Sequence, residues 1–339
     1  MENSVSTQYT ARDFKSDQYV RWCPGCGDHA IVNALQRSMA EIGFAPQNVA
    51  VISGIGCSSR LPYYMKSYGF HTIHGRGAAV ATGVKVANPD LLVWQITGDG
   101  DCLAIGGNHF IHSVRRNIDI NVVLFNNQIY GLTKGQYSPT TKQGTLTKSS
   151  PFGTIERPFR PAELTFGARG TFFARALDVD IKTSQLVMTS AAQHKGTSVI
   201  EMLVNCIIFN NGAHGWLAEK EFRADRTILL EHGKPMIFGS ENNKGLMLEG
   251  FNLKVVTIGE NGVTEKDILV HDAKTQDSTL HLKLAMMDGP DFPIAMGVIR
   301  DVEAESYDEA LVNQIEQVQA KTSIKTFDDL VDSCEHWDM

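Results

Sequence analysis

The sequence has no run of about 18 consecutive apolar residues, so no segment reads as a membrane-spanning helix. Its first residues, Met1 to Thr7, are polar and lack the apolar stretch of a secretory leader, which points to the cytoplasm. Basic charge is in short supply: 31 Lys and Arg stand against 38 Asp and Glu, a formal net charge of -7. With no basic stripe and no strand-borne aromatic motif, a nucleic-acid footprint is excluded. Only six cysteines occur in 339 residues. In a reducing cytosol they are not expected to form disulfides, so any with a function should bind metal or act in catalysis. No Gly-x-Gly-x-x-Gly follows the first predicted strand and no ribose-binding acid is evident, which ranks a dinucleotide dehydrogenase last. Internal repeats are also absent.

What is present is enough apolar material, 42% of the residues, for one large domain with an extension. From position 49 to 206 the pattern alternates: strand 49–52, helix 77–87, strand 91–97, helix 102–117, strand 121–125, helix 161–168, strand 171–176, helix 183–194, strand 198–204. Short continuous apolar strands separated by helices indicate βαβ units, an α/β fold with a parallel sheet covered by helices on both faces. Residues 1–18 read as a polar N-terminal arm and 19–216 as the α/β domain. Residues 217–339 read as a C-terminal extension that packs on the domain or on a partner. The stretch 135–160, rich in Gly, Ser, Thr, Pro and Lys, is expected to be a loop ordered over the site or by a partner.

Two strand ends carry the chemistry. Leu91 to Thr97 runs into Gly98-Asp99-Gly100-Asp101, and Asn121 to Phe125 runs into Asn126-Asn127. Ligands of open α/β sheets sit beyond the carboxyl ends of the strands, where Asp99 and Asn127 both fall. A carboxylate, an amide and a backbone carbonyl near Ile129 are hard oxygen donors suited to Mg²⁺ that also holds phosphate oxygens. Gly98 and Gly100 let the backbone come close to a diphosphate. Together these point to thiamine diphosphate. Separately, Cys23-Pro24-Gly25-Cys26 forms a Cys-x-x-Cys pair, with Cys57 and Cys206 far away in sequence. Such a set suits zinc or an iron-sulfur cluster, and spacing does not separate the two.

The motifs Gly98-Asp99-Gly100-Asp101, Asn127 to Gln136 and Ser138-Pro139-Thr140-Thr141 resemble the beta subunit of 2-oxoacid:ferredoxin oxidoreductases, and the resemblance runs from about Tyr19 to Trp216. It implies a thiamine diphosphate-binding fold and a single 4Fe-4S cluster on Cys23, Cys26, Cys57 and Cys206. Cys102 and Cys334 are read as non-ligands. It further implies Mg²⁺ on Asp99, Asn127 and Ile129, with a cofactor pocket of Ile55, Gly56, Cys57, Ser58, His74, Gly98, Asp99, Gly100, Asp101, Asn127, Gly131, Leu132 and Thr133. His74 would hydrogen-bond a diphosphate or substrate oxygen and, with Lys134, act in catalysis; Arg76 fits a subunit interface. Arg60 and Lys134 are placed near substrate, where fixed cations orient carboxylates. Two such cations favour 2-oxoglutarate over pyruvate or branched 2-oxoacids.

The implied reaction is coenzyme A-dependent oxidative decarboxylation, most plainly of 2-oxoglutarate to succinyl-CoA and CO₂, with electrons passing through the cluster to ferredoxin. The carboxylate that activates thiamine comes, in the family, from another subunit, so an obligate complex with an alpha subunit is expected, as a dimer of such pairs. The rival of another class, a zinc-stapled binding protein, accounts for the cysteines but leaves the Asp99 and Asn127 pairing to chance.

Overall fold

The computed structural model describes residues 8–335. The first seven residues of the expected polar arm, and with them the leader reading, lie outside the described residues. The strands are β1 (Val49–Ser53), β2 (Tyr68–His71), β3 (Leu92–Gly98), β4 (Asn121–Asn126), β5 (Phe172–Leu177), β6 (Ser198–Leu203), β7 (Thr227–Leu230), β8 (Ile237–Phe238), β9 (Lys244–Glu249), β10 (Asn252–Thr257) and β11 (Ile294–Asp301). Eight of them form one sheet in the order β2-β1-β3-β4-β6-β5-β11-β7. The first six strands run parallel, and β11 reverses direction against β5.

Successive side chains of a strand point to opposite faces, and each central strand feeds two cores. Ala50 and Ile52, Val93, and Val122 and Leu124 point to one. Val49 and Val51, Trp94 and Ile96, and Val123 and Phe125 point to the other. The first face is covered by helices α2 (Gly77–Ala87), α4 (Gly107–Arg116) and α5 (Pro161–Gly167), through Ala81, Phe110, Val114 and Ala162. The second is covered by α1 (Asp28–Ile42) and α6 (Ile181–Gln193), through Ile31, Leu35, Met39, Val187 and Met188. Pro161 sits in the first turn of α5, where its missing N–H has no helical partner to lose. Asp180 caps α6 by accepting from Thr183 N at 3.1 Å.

Three expectations change. The helix predicted over 102–117 is two helices, α3 (Asp99–Leu103) and α4, and the first starts at Asp99 itself. The break falls at Gly106, where an added Cβ would sit 2.4 Å from Asp101 O, so only glycine allows the chain to turn there. Residues 217–335 do more than pack against the domain: β11 and β7 complete its sheet, and the helix Thr279–Met286 joins the first core through Leu284 and Ala285. The small antiparallel sheet of β8, β9 and β10 packs on the same core through Phe238 and Leu246. Helix α1 and edge strand β2 were absent from the predicted order. The stretch 135–160 contains no helix or ladder strand, as its composition implies.

The chain leaves β1 for β2 on one side and returns for β3 on the other, which opens a crevice at the carboxyl ends of β1 and β3. No helix among the described residues is long and apolar enough to cross a membrane.

Candidate functional site

A cavity of about 420 Å³ occupies that crevice. Its wall contains the residues from Ile55 to Ser58, His74, Gly98 to Asp101, Asn127, Ile129 and Gly131 to Thr133, so every position expected at the cofactor faces one space. Phe125, which was not anticipated, joins them, as do Tyr130 and Gln136, which lie in the quoted 127–136 motif but were given no role there.

Asp101, 3% exposed, is the organiser of this wall. Its Oδ1 accepts from Ile55 N at 3.0 Å, from Gly75 N at 2.8 Å and from His74 Nδ1 at 2.8 Å, while Oδ2 accepts from Thr97 Oγ1 at 2.8 Å. One carboxylate therefore ties the loops after β1 and β2 to β3. Because His74 gives Nδ1–H to Asp101, its neutral form presents Nε2 as an acceptor. The ring meets Tyr130 edge-on, with centroids 6.3 Å apart.

Asp99, 2% exposed, is held differently. Its Oδ2 accepts from Ser138 and Thr140 hydroxyls at 2.5 Å each, and Oδ1 has no side-chain donor among the described residues. Burial lifts this carboxyl to about 6 although both hydroxyls favour its ionised form. The Thr140 hydroxyl also lies 2.9 Å from Asn126 Oδ1, and Asn126 Nδ2 donates to Glu201 at 2.8 Å. Glu201 in turn accepts from Arg175 Nε at 2.8 Å, its partner in the β5–β6 register. Arg175 finishes its donors on the carbonyls of Ala285 and Ala295. The chain of contacts thus runs from the cavity floor to the last third of the sequence. Ser138 and Thr140 belong to a motif the sequence reading quoted but gave no role. Arg175 and Glu201 were missed, although two charges facing one another in apolar strands are the signal that exposes them.

Asn127 Oδ1 accepts from Ile129 N at 3.1 Å and keeps a lone pair free. The loop beyond it folds back as Tyr130 N donates to Gln136 O and Gly135 N to Tyr130 O, both at 2.9 Å. Tyr130 crosses the cavity floor and donates its hydroxyl to Gly100 O at 3.0 Å. A Cβ on Gly100 would come within 2.2 Å of the Tyr130 ring, so a side chain there has no room. Burial and the two aspartates push the Tyr130 hydroxyl up to about 12. The donor set of Asp99, Asn127 and the Ile129 carbonyl, beside backbone free of side chains, fits a hard cation carrying a diphosphate.

A second cavity of about 190 Å³ adjoins the first and shares Cys57, Asn127, Gly131 and Leu132 with it. Cys23, Cys26, Cys57 and Cys206 all line it. A Cβ on Gly131 would lie 3.5 Å from Cys206 Sγ and 3.6 Å from Cys57 Sγ, so the thiols of distant segments meet over this glycine. Trp22 Nε1 fixes the turn by donating to Cys57 O at 2.7 Å. Burial and nearby acid push the Cys57 thiol up to about 12 and the Cys26 thiol higher still. Among the described residues, no three His, Cys, Asp or Glu converge on a single ion; the four cysteines surround a space instead. That arrangement fits a group of several atoms with thiolate ligands. Asp28, buried and missed by the sequence reading, also lines the space, and its Oδ2 has no hydrogen-bond partner among the described residues.

Arg60 and Lys134, expected near substrate, line this cysteine cavity and not the larger one. Arg76 lies outside both, on His109 Nε2. Cys102 is buried and Cys334 exposed, and neither reaches the cysteine cavity.

Residues 54–202 match the family model described as the C-terminal TPP binding domain of thiamine pyrophosphate enzymes. The 2-oxoglutarate oxidoreductase subunit KorB of Mycobacterium tuberculosis is 46% identical over 305 residues, covering 90% of this chain and 81% of that one. A 2-oxoacid:ferredoxin oxidoreductase subunit beta of Aeropyrum pernix is 42% identical over 63% of this chain and 70% of its own. Among solved structures, the 2-oxoglutarate:ferredoxin oxidoreductase from Magnetococcus marinus, with 2-oxoglutarate, coenzyme A and succinyl-CoA bound, aligns over 97% of both chains with a TM-score of 0.77 and 31% identity.

Proposed function

Because the chain belongs to the beta subunits of the 2-oxoacid:ferredoxin oxidoreductases, we propose that its two adjoining cavities hold thiamine diphosphate with Mg²⁺ and a 4Fe-4S cluster. The activity is the coenzyme A-dependent oxidative decarboxylation of 2-oxoglutarate to succinyl-CoA and CO₂, carried out with an alpha subunit. Thiamine diphosphate supplies the carbanion chemistry. Asp99, Asn127 and the Ile129 carbonyl would hold Mg²⁺ on the diphosphate, with Gly98 and Gly100 admitting the phosphates to the backbone. His74, aimed by Asp101, would offer its free nitrogen to a diphosphate or substrate oxygen. Arg60 and Lys134 would orient a substrate carboxylate from the cysteine side, and Cys23, Cys26, Cys57 and Cys206 would hold the cluster that passes electrons singly to ferredoxin.

The observation that carries this reading is the shared wall. Cys57, Asn127, Gly131 and Leu132 face both cavities, so an electron acceptor in one lies beside the carbanion chemistry of the other. The larger cavity has two carboxylates on its described wall, Asp99 and Asp101, and both are already engaged. The carboxylate that activates thiamine would therefore come from the alpha subunit.

Anaerobically purified complex should contain iron and acid-labile sulfide and show visible absorbance that dithionite bleaches. It should turn over 2-oxoglutarate with a viologen dye faster than pyruvate. Zinc in place of iron would overturn the cluster, and full turnover by this chain alone would overturn the shared site.

A further inference from the structure

Resting on the reading of the larger cavity as a thiamine diphosphate and Mg²⁺ site, we propose that Ser138 and Thr140 select its cation: their hydroxyls withhold one oxygen of Asp99 from the metal and so favour Mg²⁺ over Ca²⁺. The two cations ask different things of a carboxylate. Ca²⁺ takes about 6–8 oxygens in flexible geometry and often both oxygens of one carboxylate, whereas Mg²⁺ requires a near-octahedral set and dehydrates reluctantly. A carboxylate oxygen offers about two lone-pair sites, and at Asp99 Oδ2 the hydroxyls of Ser138 and Thr140, each 2.5 Å away, take both. Oδ1, with no side-chain donor among the described residues, is left for the cation. Asp99 is thereby a ligand through one oxygen. The two hydroxyls are also held in place, since Ser138 and Thr140 are each 3% exposed. Ser138 N donates to Thr141 Oγ1 at 2.7 Å and Thr141 Oγ1 donates to Gln128 O at 2.7 Å, which fastens this turn to the loop carrying Asn127 and the Ile129 carbonyl. Thr140 Oγ1 lies 2.9 Å from Asn126 Oδ1, and the Asn126 amide is itself held by Glu201. A cation that needs Oδ2 must break a buried hydrogen bond to a charged acceptor and shift this turn against its anchors. Mg²⁺ needs neither.

The test measures thiamine diphosphate affinity of the assembled complex by tryptophan fluorescence, with Mg²⁺ or Ca²⁺ as the sole divalent cation. The quantity read is the ratio of the two affinities, because damage to the fold lowers both together and leaves the ratio alone. Wild type should bind more tightly with Mg²⁺. Hydrogen-bonded partners of metal ligands commonly change metal affinity by about 10–100-fold, so Ser138→Ala combined with Thr140→Val should move the ratio at least about tenfold towards Ca²⁺. Each single substitution should move it less, and Thr140→Ser, which keeps the hydroxyl, should restore the wild-type ratio. Ser138→Ala alone, the smallest change, decides the matter where the double variant fails to assemble. Equal affinities in wild type, or a ratio unmoved in Ser138→Ala and in the double variant, would overturn the selection. Absence of thiamine diphosphate binding to the wild-type complex with either cation would instead overturn the cofactor reading on which it rests.

Discussion

Replacing Asp101 by Asn tests whether one carboxylate assembles the cofactor cavity. The amide keeps the shape: its oxygen still accepts from Ile55 N, Gly75 N and His74 Nδ1, and its nitrogen turns to Thr97 Oγ1, which then serves as acceptor. What is lost is the charge. Hydrogen bonds to a charged acceptor contribute about 1.5–3 kcal/mol and neutral ones about 0.5–1.5, so three donors lose roughly 1 kcal/mol each. The sum, about 3 kcal/mol, is roughly a hundredfold in an equilibrium constant. The affected segments are loops on the cavity wall, and a cofactor seated against that wall would bind only their ordered form. The loss should therefore appear as thiamine diphosphate affinity up to roughly a hundredfold weaker, together with a lower urea midpoint without cofactor. Both are measurable on the complex, the first by tryptophan fluorescence in the presence of Mg²⁺. Affinity within about threefold of wild type and an unchanged midpoint would refute the role given to Asp101.

Gly100→Ala should drive its methyl into the Tyr130 ring and abolish cofactor binding while the chain still folds, with Tyr130→Ala in the same chain restoring part of it. No recovery in the double variant would show that the contact is not the cause. Asp99 has its folded value raised from 3.8 to about 6, so its protonated form is the one the metal-free fold favours. That contribution is full below 3.8 and is lost as pH rises through about 6, and the difference in midpoint between wild type and Asp99→Asn should grow over that window; a constant difference would sink the assignment. Arg175→Met leaves Glu201 buried without its cation and should destabilise by about 3–5 kcal/mol, less when Glu201→Gln accompanies it. A cost below about 1 kcal/mol would mean the pair is not buried as described.

Five of the six parallel strands, β1, β3, β4, β5 and β6, were legible because each is an apolar run closed by a turn, and their ends were placed within one residue. β2 was not legible: Tyr68–His71 is an edge strand exposed along its whole length, so no buried face marks it. The membership of β11 in the main sheet was hidden for another reason, since its neighbour β5 lies more than a hundred positions earlier and nothing local names it. The site divides in the same way. Residues at strand ends, such as Asp99 and Asn127, announce themselves by position. The hydroxyls of Ser138 and Thr140 acquire meaning only when the loop folds back on Asp99, and Asp28 only when α1 meets the cysteine turn.

The place of β11 in the sheet also bears on how the molecule can be made. A ribosome delivers the cavity-forming segments long before residues 294–301, yet β5 has one open edge and Arg175 two unmet donors until β11 and the Ala285 carbonyl arrive. An unfinished chain would carry an exposed strand edge and a half-satisfied buried guanidinium. The cofactor half of the protein is thus completed last, and a chain stopped after residue 216 would end with its sheet open.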